Sequence, residues 1–270
     1  MEKNIRDVPS ALERRTEVMG HLEGKRVAVF LDYDGTLTPI VSRPELAVLS
    51  ERNREIVRAL ASRCTVAIIS GRDRPDVQKL VGLDGLVYAG SHGFDIAGPG
   101  GQSIQHEMGS GFADLLSRIA KRLEQELEGI DGLLIEAKKS SVAVHYRLVA
   151  DEQSRQQIKR VVDGILADHL ELRNKPGKMV WDIQPRIDWD KGKAVLWLLK
   201  ALELDSPDVM PIYLGDDITD EDAFRALKGK GLGIFVGHEA SEGGERPTAA
   251  DYVLKDPDEV GAFLENLPPA

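Results

Sequence analysis

The sequence predicts a doubly wound α/β fold on a parallel sheet, interrupted by an inserted α+β segment. Three observations carry this: apolar β-branched runs alternate with amphipathic helical stretches in both halves of the chain, acidic and glycine-rich clusters fall at the ends of those runs, and the middle has another rhythm. The first run, Val27-Ala28-Val29-Phe30-Leu31, is apolar at every position, as a strand covered on both faces must be. A helical pattern over 53–62 and a second strand, Val66-Ala67-Ile68-Ile69, complete a βαβ unit. Positions 74–81 read as helix and Leu86-Val87-Tyr88-Ala89 as a third strand. The alternation resumes with a helix over 193–202, a strand over 210–214, a helix over 220–227 and a strand over 233–236. It closes on a strand at 252–254 and a helix at 257–266. Between the two parts lie a helix (111–128), two strands (132–136, 141–147), a helix (152–169) and two strands (170–173, 178–183). This αββαββ order joins neighbouring strands by short turns, which favours an antiparallel sheet with helices on one face. Gly98-Pro99-Gly100-Gly101 and Gln184-Pro185 supply the crossings. The expected organisation is a Rossmann-like core in two parts, 1–105 and 185–270, around an inserted domain at 106–184.

With 270 residues, 42% apolar and 30% charged, and no long polar tract or repeat, the chain has the composition of a globular protein with a full core. Its longest apolar runs are strand-sized, so no membrane span is expected. The N-terminus mixes Glu2, Lys3, Arg6 and Asp7 without the apolar stretch of a signal peptide, and a cytoplasmic location is the expectation. Cys64, the only cysteine, precedes a strand and reads as a small buried hydrophobe. A net charge of −10 argues against a nucleic-acid partner. It also repels anionic substrates at long range, so a phosphate ester would need local cations. No obligate protein partner is evident.

Asp32 and Asp34 close the first strand, at the sheet edge where open α/β folds bind ligands. Two apart in extended backbone, they point to one side, and Gly35 lets the chain turn tightly behind them. Such a pair shares a proton or binds a divalent metal, although Asp-Gly alone is also an ordinary turn. A second cluster, Gly215-Asp216-Asp217-Ile218-Thr219-Asp220-Glu221-Asp222, follows another apolar run. Helix capping accounts for Asp220 and Asp222, with Thr219 and Asp222 at capping-box spacing, but not for Asp216 and Asp217 at the strand exit. Beside Asp32 they would form a hard-oxygen site suited to Mg²⁺. Ser70-Gly71-Arg72 ends the second strand, where a hydroxyl and a free N–H suit a phosphate oxygen, and Lys191 opens the helix leading to the acidic strand.

In this order the four pieces resemble the signature of the haloacid dehalogenase (HAD) superfamily. More narrowly the chain resembles the trehalose-6-phosphate phosphatases, through Leu31 to Ile40 (LDYDGTLTPI), Ser70-Gly71-Arg72, Gly90-Ser91-His92-Gly93, Val144-His145-Tyr146-Arg147, Ile187 to Ala194 (IDWDKGKA) and Gly215 to Phe224 (GDDITDEDAF). The likeness runs from about Val27 to the C-terminus, and the stretch before it contributes nothing to it. It implies that Asp32 is the nucleophile of an aspartyl-phosphate mechanism, with Asp34 as acid and base and Lys191 as a catalytic cation. It further implies phosphate binding by Gly35, Thr36, Ser70, Gly71, Arg72 and Lys191, and Mg²⁺ held by Asp32, the backbone carbonyl of Asp34 and Asp216, with Asp217 or Asp220 acting directly or through water. The inserted segment corresponds to a cap that selects a small sugar phosphate, with His92, Glu136, Lys138, His145, Arg147, Lys178 and Asp182 as substrate-binding residues. One departure bears on the sugar: the related motif ends in glutamate where this chain has Asp182 in Gly177-Lys178-Met179-Val180-Trp181-Asp182-Ile183. Sucrose or glucosylglycerol phosphate is therefore the alternative substrate. A non-catalytic phosphosugar sensor or a receiver-type phosphoacceptor are readings of another class, against which stand Asp34 and the large insertion.

Overall fold

The computed structural model describes residues 2–41, 43–101, 111–138, 141–177, 179–237 and 246–268. The chain forms two units, Met1–Gln105 with Trp189–Ala270, and His106–Asp188. In chain order the first begins with β1 (Lys3–Asn4), α1 (Arg15–Leu22), β2 (Arg26–Leu31), α2 (Glu51–Ala61), β3 (Thr65–Ile69), α3 (Arg74–Val81), β4 (Val87–Gly90) and β5 (Asp95–Ala97). The second unit contains α4 (Ala113–Glu126), β6 (Leu134–Ala137), β7 (Val142–His145), α5 (Glu152–Asp168), β8 (Leu172–Gly177) and β9 (Val180–Pro185). The first then resumes with α6 (Lys191–Ala201), β10 (Val209–Gly215), α7 (Glu221–Leu227), β11 (Leu232–Val236), β12 (Pro247–Thr248), β13 (Tyr252–Leu254) and α8 (Pro257–Glu265).

Seven strands of the first unit form one sheet in the order β13-β11-β10-β2-β3-β4-β5. Every neighbouring pair is parallel except β4 with β5. The all-apolar β2 follows from burial on both sides: Val27, Val29 and Leu31 pack into one cluster with residues of α1, α2 and α8, while Ala28 and Phe30 pack into the other with α6 and α7. The helices start at side-chain caps that satisfy their free N–H groups: Ser50 receives Asn53 N–H at 3.2 Å, and Asp190 receives Lys193 N–H at 2.8 Å. The second cap fixes the first turn of α6, where Lys191 sits.

The second unit has a four-stranded antiparallel sheet, β6-β7-β9-β8. Leu116, Ile119 and Leu123 of α4 and Ile158, Val162 and Ile165 of α5 cover its apolar face, which presents Val142, Val144, Leu172 and Ile183. Doubly wound core and αββαββ insertion are thus both present. Elements without a periodic signal went unpredicted. Helix α1 buries only Val18 and Leu22, β5 is three residues long, and β1 pairs with β12 over two residues. Strand β8 extends to Gly177, past its expected end at 173. Among the described residues no helix is long and apolar enough to cross a membrane.

Candidate active site

Strands β2 and β10 are neighbours, yet the chain leaves β2 towards β3 and β4 on one side and leaves β10 towards β11 and β13 on the other. Such a switch point opens a crevice beyond the carboxyl ends of the two strands. Asp32 lies there, 5% exposed, its N–H on the Leu214 carbonyl at 2.9 Å. Behind it Gly35 N–H donates to Thr38 O at 2.8 Å, and Leu37 and Thr38 N–H both turn back onto Tyr33 O. Gly35 has φ +86°, and a Cβ on it would meet Asp216 Oδ2 at 2.0 Å, so only glycine lets the two loops close on each other.

Lys191, 3% exposed, reaches Asp32 Oδ1 and Asp220 Oδ1, both at 2.7 Å. Burial works against its charge, but Asp220 and Asp32 outweigh burial and hold the ammonium above its ordinary range. Asp220, fully buried, accepts from four donors: Lys191 and the Tyr213 hydroxyl (2.6 Å) at Oδ1, and the Asp216 and Asp217 N–H (3.1 and 2.9 Å) at Oδ2. It occupies the N-cap position of α7 but makes no side-chain cap bond. The capping expectation is corrected here: its carboxylate folds back to organise the acidic loop, because a buried charge needs the Lys191 and Tyr213 donors more than the helix end does.

Asp32, Asp216 and Asp220 each offer a carboxylate oxygen within 4.8 Å of the others. Burial, then Asp32 and Asp220, push Asp216 up to about 9. Burial likewise raises Asp32 to about 7, against the pull of Lys191. Two buried oxygens, Asp216 Oδ1 and Thr36 Oγ1, have no hydrogen-bond partner among the described residues. A hard, all-oxygen donor set with orphaned buried acceptors and crowded carboxylates fits a divalent cation. Asp32 and Asp216 have oxygens to give it, whereas those of Asp220 are engaged. Asp217 is exposed, its Oδ1 on Ile218 N–H at 2.6 Å.

Asp34 has another partner. Arg72 grips it bidentately, Nε to Oδ2 and Nη2 to Oδ1, both at 2.7 Å. Nη1 binds Asp76 at 2.9 Å, Nη2 also reaches Pro44 O at 2.7 Å, and the guanidinium stands 5.6 Å from the Tyr33 ring centre. Expected as a phosphate ligand, Arg72 instead directs its donors to these acceptors. Ser70, 1% exposed, accepts Arg72 N–H at 3.1 Å, and Gly71 lies under the His92 ring, whose Cε1 would be 3.0 Å from an added Cβ. Ser91, His92 and Gly93 all have positive φ (51°, 58° and 95°), a strained turn that Ser91 N–H to Arg72 O and His92 N–H to Ser70 O hold against β3.

The family model described as trehalose-phosphatase matches residues 30–258. The chain belongs to the trehalose-phosphatase family. Similar relatives include probable trehalose-phosphate phosphatase D of Arabidopsis thaliana, 42% identical over 96% of this chain and 72% of that protein. Trehalose 6-phosphate phosphatase RA3 of Zea mays is 40% identical over 99% and 75%. Among solved structures, a trehalose-6-phosphate phosphatase related protein superimposes with a TM-score of 0.73 at 26% identity, covering 88% of this chain and 95% of that one. An Aspergillus fumigatus trehalose-6-phosphate phosphatase does so with 0.63 at 27%, covering 95% and 97%.

In this trehalose-phosphatase, the other expected substrate residues lie in the second unit. Glu136, His145 and Asp182 share the sheet face opposite α4 and α5, since Glu136 pairs with Ala143, Ala143 with Asp182, and Leu134 with His145. His145 Nε2 is 3.1 Å from Glu136 Oε2, and Lys138 Nζ 3.6 Å from the same oxygen. His145, with Lys138 beside it, draws the Glu136 carboxyl below its usual range against the effect of burial. Asp182 Oδ1 is buried without a hydrogen-bond partner among the described residues. Arg147 is exposed beyond the end of β7, and Lys178 lies outside the described residues. Sequence reasoning missed Tyr213, which reads as core inside an apolar strand, and Arg173 and Lys175, which alternate onto the Asp182 face of β8.

Proposed function

We propose that this enzyme hydrolyses trehalose 6-phosphate to trehalose and phosphate, with Asp32 as nucleophile and Mg²⁺ as cofactor. The observation that supports it best is Asp32 itself, buried at the switch point, 2.7 Å from Lys191 and clustered with Asp216. Asp32 attacks phosphorus in line and forms an aspartyl-phosphate, which divides one displacement into two easier ones. Asp34 gives a proton to the departing sugar oxygen and later takes one from the attacking water. Its bidentate hold on Arg72 means that one oxygen must leave the guanidinium for the acid step. Lys191 keeps Asp32 ionised and oriented, and Ser70 with the Thr36 N–H receives the transferring phosphoryl oxygens, the Gly35 N–H being held by Thr38 O. Bound through Asp32 and Asp216, the metal supplies charge neutralisation and orientation of the phosphate. Glu136, His145 and Asp182, with Lys138, Arg147, Lys178 and His92, grip the sugar hydroxyls.

The test is steady-state phosphate release from trehalose 6-phosphate by the native chain and Asp32→Asn, with and without Mg²⁺. Activity should need both Asp32 and the metal; near-native turnover by Asp32→Asn removes the nucleophile assignment. A panel of glycosyl phosphates run beside it decides the sugar. Preference for sucrose or glucosylglycerol phosphate would transfer the activity to that substrate.

A further inference from the structure

Arg246 lies outside every motif that points to the site, yet its side chain, 12% exposed, ends beside the acidic loop. Nη1 donates to the carbonyl of Asp216 at 3.3 Å, Nη2 is 3.9 Å from Glu221 Oε1, and the guanidinium lies 4.9 Å over the Phe235 ring. Glu221, 1% exposed, is itself tied by Ala249 N–H on Oε2 at 2.8 Å. The backbone of Arg246 is held in turn by the N-terminus. Ile5 N–H donates to its carbonyl at 3.0 Å, and β1 continues the contact with Lys3 against Thr248 and Asn4 against Pro247.

We infer that Arg246 is a positioning residue for the metal carboxylate of Asp216, and that the N-terminal strand is the brace that holds Arg246 in place. The reasoning rests on how Asp216 is fixed. Among the described residues its Oδ1 has no hydrogen-bond partner and its Oδ2 lies against Gly35, so the place of the carboxylate depends on where its backbone is held. That backbone has an anchor on each side, its N–H on Asp220 Oδ2 and its carbonyl under Arg246. Asp220 secures the inner side through Lys191 and Tyr213. Only Arg246 secures the outer side among the hydrogen bonds described for Asp216. A guanidinium suits the task because one planar group can reach the carbonyl, face Glu221 and stack on Phe235 together, which an ammonium cannot.

The inference rests on Asp216 as a metal carboxylate, and its test separates the two. Mn²⁺ binding is measured by electron paramagnetic resonance, and amide hydrogen exchange at 216–218 is measured on the metal-free chain. Arg246→Met should weaken Mn²⁺ binding about tenfold, the lower end for groups that orient metal ligands, and speed exchange at 216–218 while β2 stays protected. Arg246→Lys should recover part of each. Ile5→Pro, read against Ile5→Ala because the isoleucine side chain packs on the core cluster of Ala249 and Ala250, deletes the N–H given to Arg246, and the backbone accepts it since Ile5 is the first residue of a 3₁₀ turn and Asn4 before it is extended (φ −68°, ψ 138°). It should move both readouts the same way by less, and it covers the case in which Arg246→Met fails to fold. Unchanged exchange at 216–218 in the folded Arg246→Met or Ile5→Pro chain overturns the inference. Faster exchange in a chain whose native form binds no Mn²⁺ keeps Arg246 as the brace of this loop and instead removes the metal from Asp216.

Discussion

Replacing Gly35 with alanine tests the closeness of the nucleophile and acidic loops more sharply than removing a charged group would. The new Cβ would stand 2.0 Å from Asp216 Oδ2 and 2.3 Å from its Cγ, where real Cβ contacts stay beyond 3.0 Å. Asp216 must therefore retreat by about 1 Å or more, half the length of a Mg–oxygen bond of about 2.1 Å. A misplacement of that size costs about a hundredfold in turnover. The left-handed backbone adds about 1–2 kcal/mol of strain for any residue with a Cβ. Over a unit of this size that is a fall of about 2–8 °C in Tm. Gly24→Ala separates the two effects, because Gly24 has φ +68° with nothing within 4 Å of the added atom. Both variants should lose thermal stability, and only Gly35→Ala should lose turnover and require far more Mg²⁺. Phosphate release titrated with Mg²⁺, alongside thermal unfolding, reads both. If Gly35→Ala keeps turnover within about threefold of Gly24→Ala, with the same Mg²⁺ dependence, the placement of Asp216 beside the nucleophile turn is wrong.

Arg72→Lys keeps a charge but not the bidentate hold on Asp34, and should slow hydrolysis of sugar phosphates by about tenfold while sparing an aryl phosphate whose leaving group needs no proton. Equal loss on both substrates would place Arg72 on the phosphate instead. Lys191→Met strands Asp32 and Asp220 in the interior, and chemical denaturation should register a loss of about 3–5 kcal/mol; a variant as stable as native would mean the pair is neutralised some other way. Asp32 and Asp216 have folded values of about 7 and about 9 against an ordinary 3.8, so between these limits the metal-free fold binds more protons than the unfolded chain. Their contribution to stability is complete below 3.8 and is lost as pH rises through 7 and 9. The Tm difference between native and Asp216→Asn, metal-free, should therefore turn against native from pH 5 to pH 9, and saturating Mg²⁺ should reverse it; a difference that favours native as pH rises without metal contradicts the cluster.

What the sequence disclosed and what it withheld divide along a physical line. A strand buried on both faces must be apolar throughout, so β2, β3 and β10 announce themselves, and carboxylates at the ends of such runs stand out because nothing in the core calls for them. Lys191 was legible because it begins a helix next to that cluster. Partnerships across the fold were not. Arg72 and Asp34 are 38 residues apart, and no local pattern says that the arginine expected on phosphate would close on the acid instead. Asp220 misled for the opposite reason, since an acid at a helix start has a sufficient local explanation in capping, and only the buried Lys191 and Tyr213 reveal a stronger claim on it. Arg246 and β1 gave no signal at all: a lone arginine and a two-residue strand acquire meaning only from what they touch.

The same contacts change how an anionic substrate can be drawn to a chain of net charge −10. Local cations were the expected answer, and both are present, but Lys191 bonds Asp32 and Asp220 while Arg72 bonds Asp34 and Asp76. Each cation faces two carboxylates, and Asp216 adds a further acid, so the side chains alone leave the centre negative. In a buried site such an excess is not screened by salt as a surface charge would be. Burial first, with Asp32 and Asp220 adding to it at Asp216, raises the values of Asp32 and Asp216, so that without further positive charge protons are retained there. In the proposed function, a divalent cation held by Asp32 and Asp216 would relieve the excess in another way, leaving Asp32 ionised and giving the phosphate a charge to approach. Metal occupancy, ionisation of Asp32 and substrate attraction would then be one linked equilibrium. The lysine and arginine act inside it by holding carboxylates in position, a task for which their saturation is an advantage.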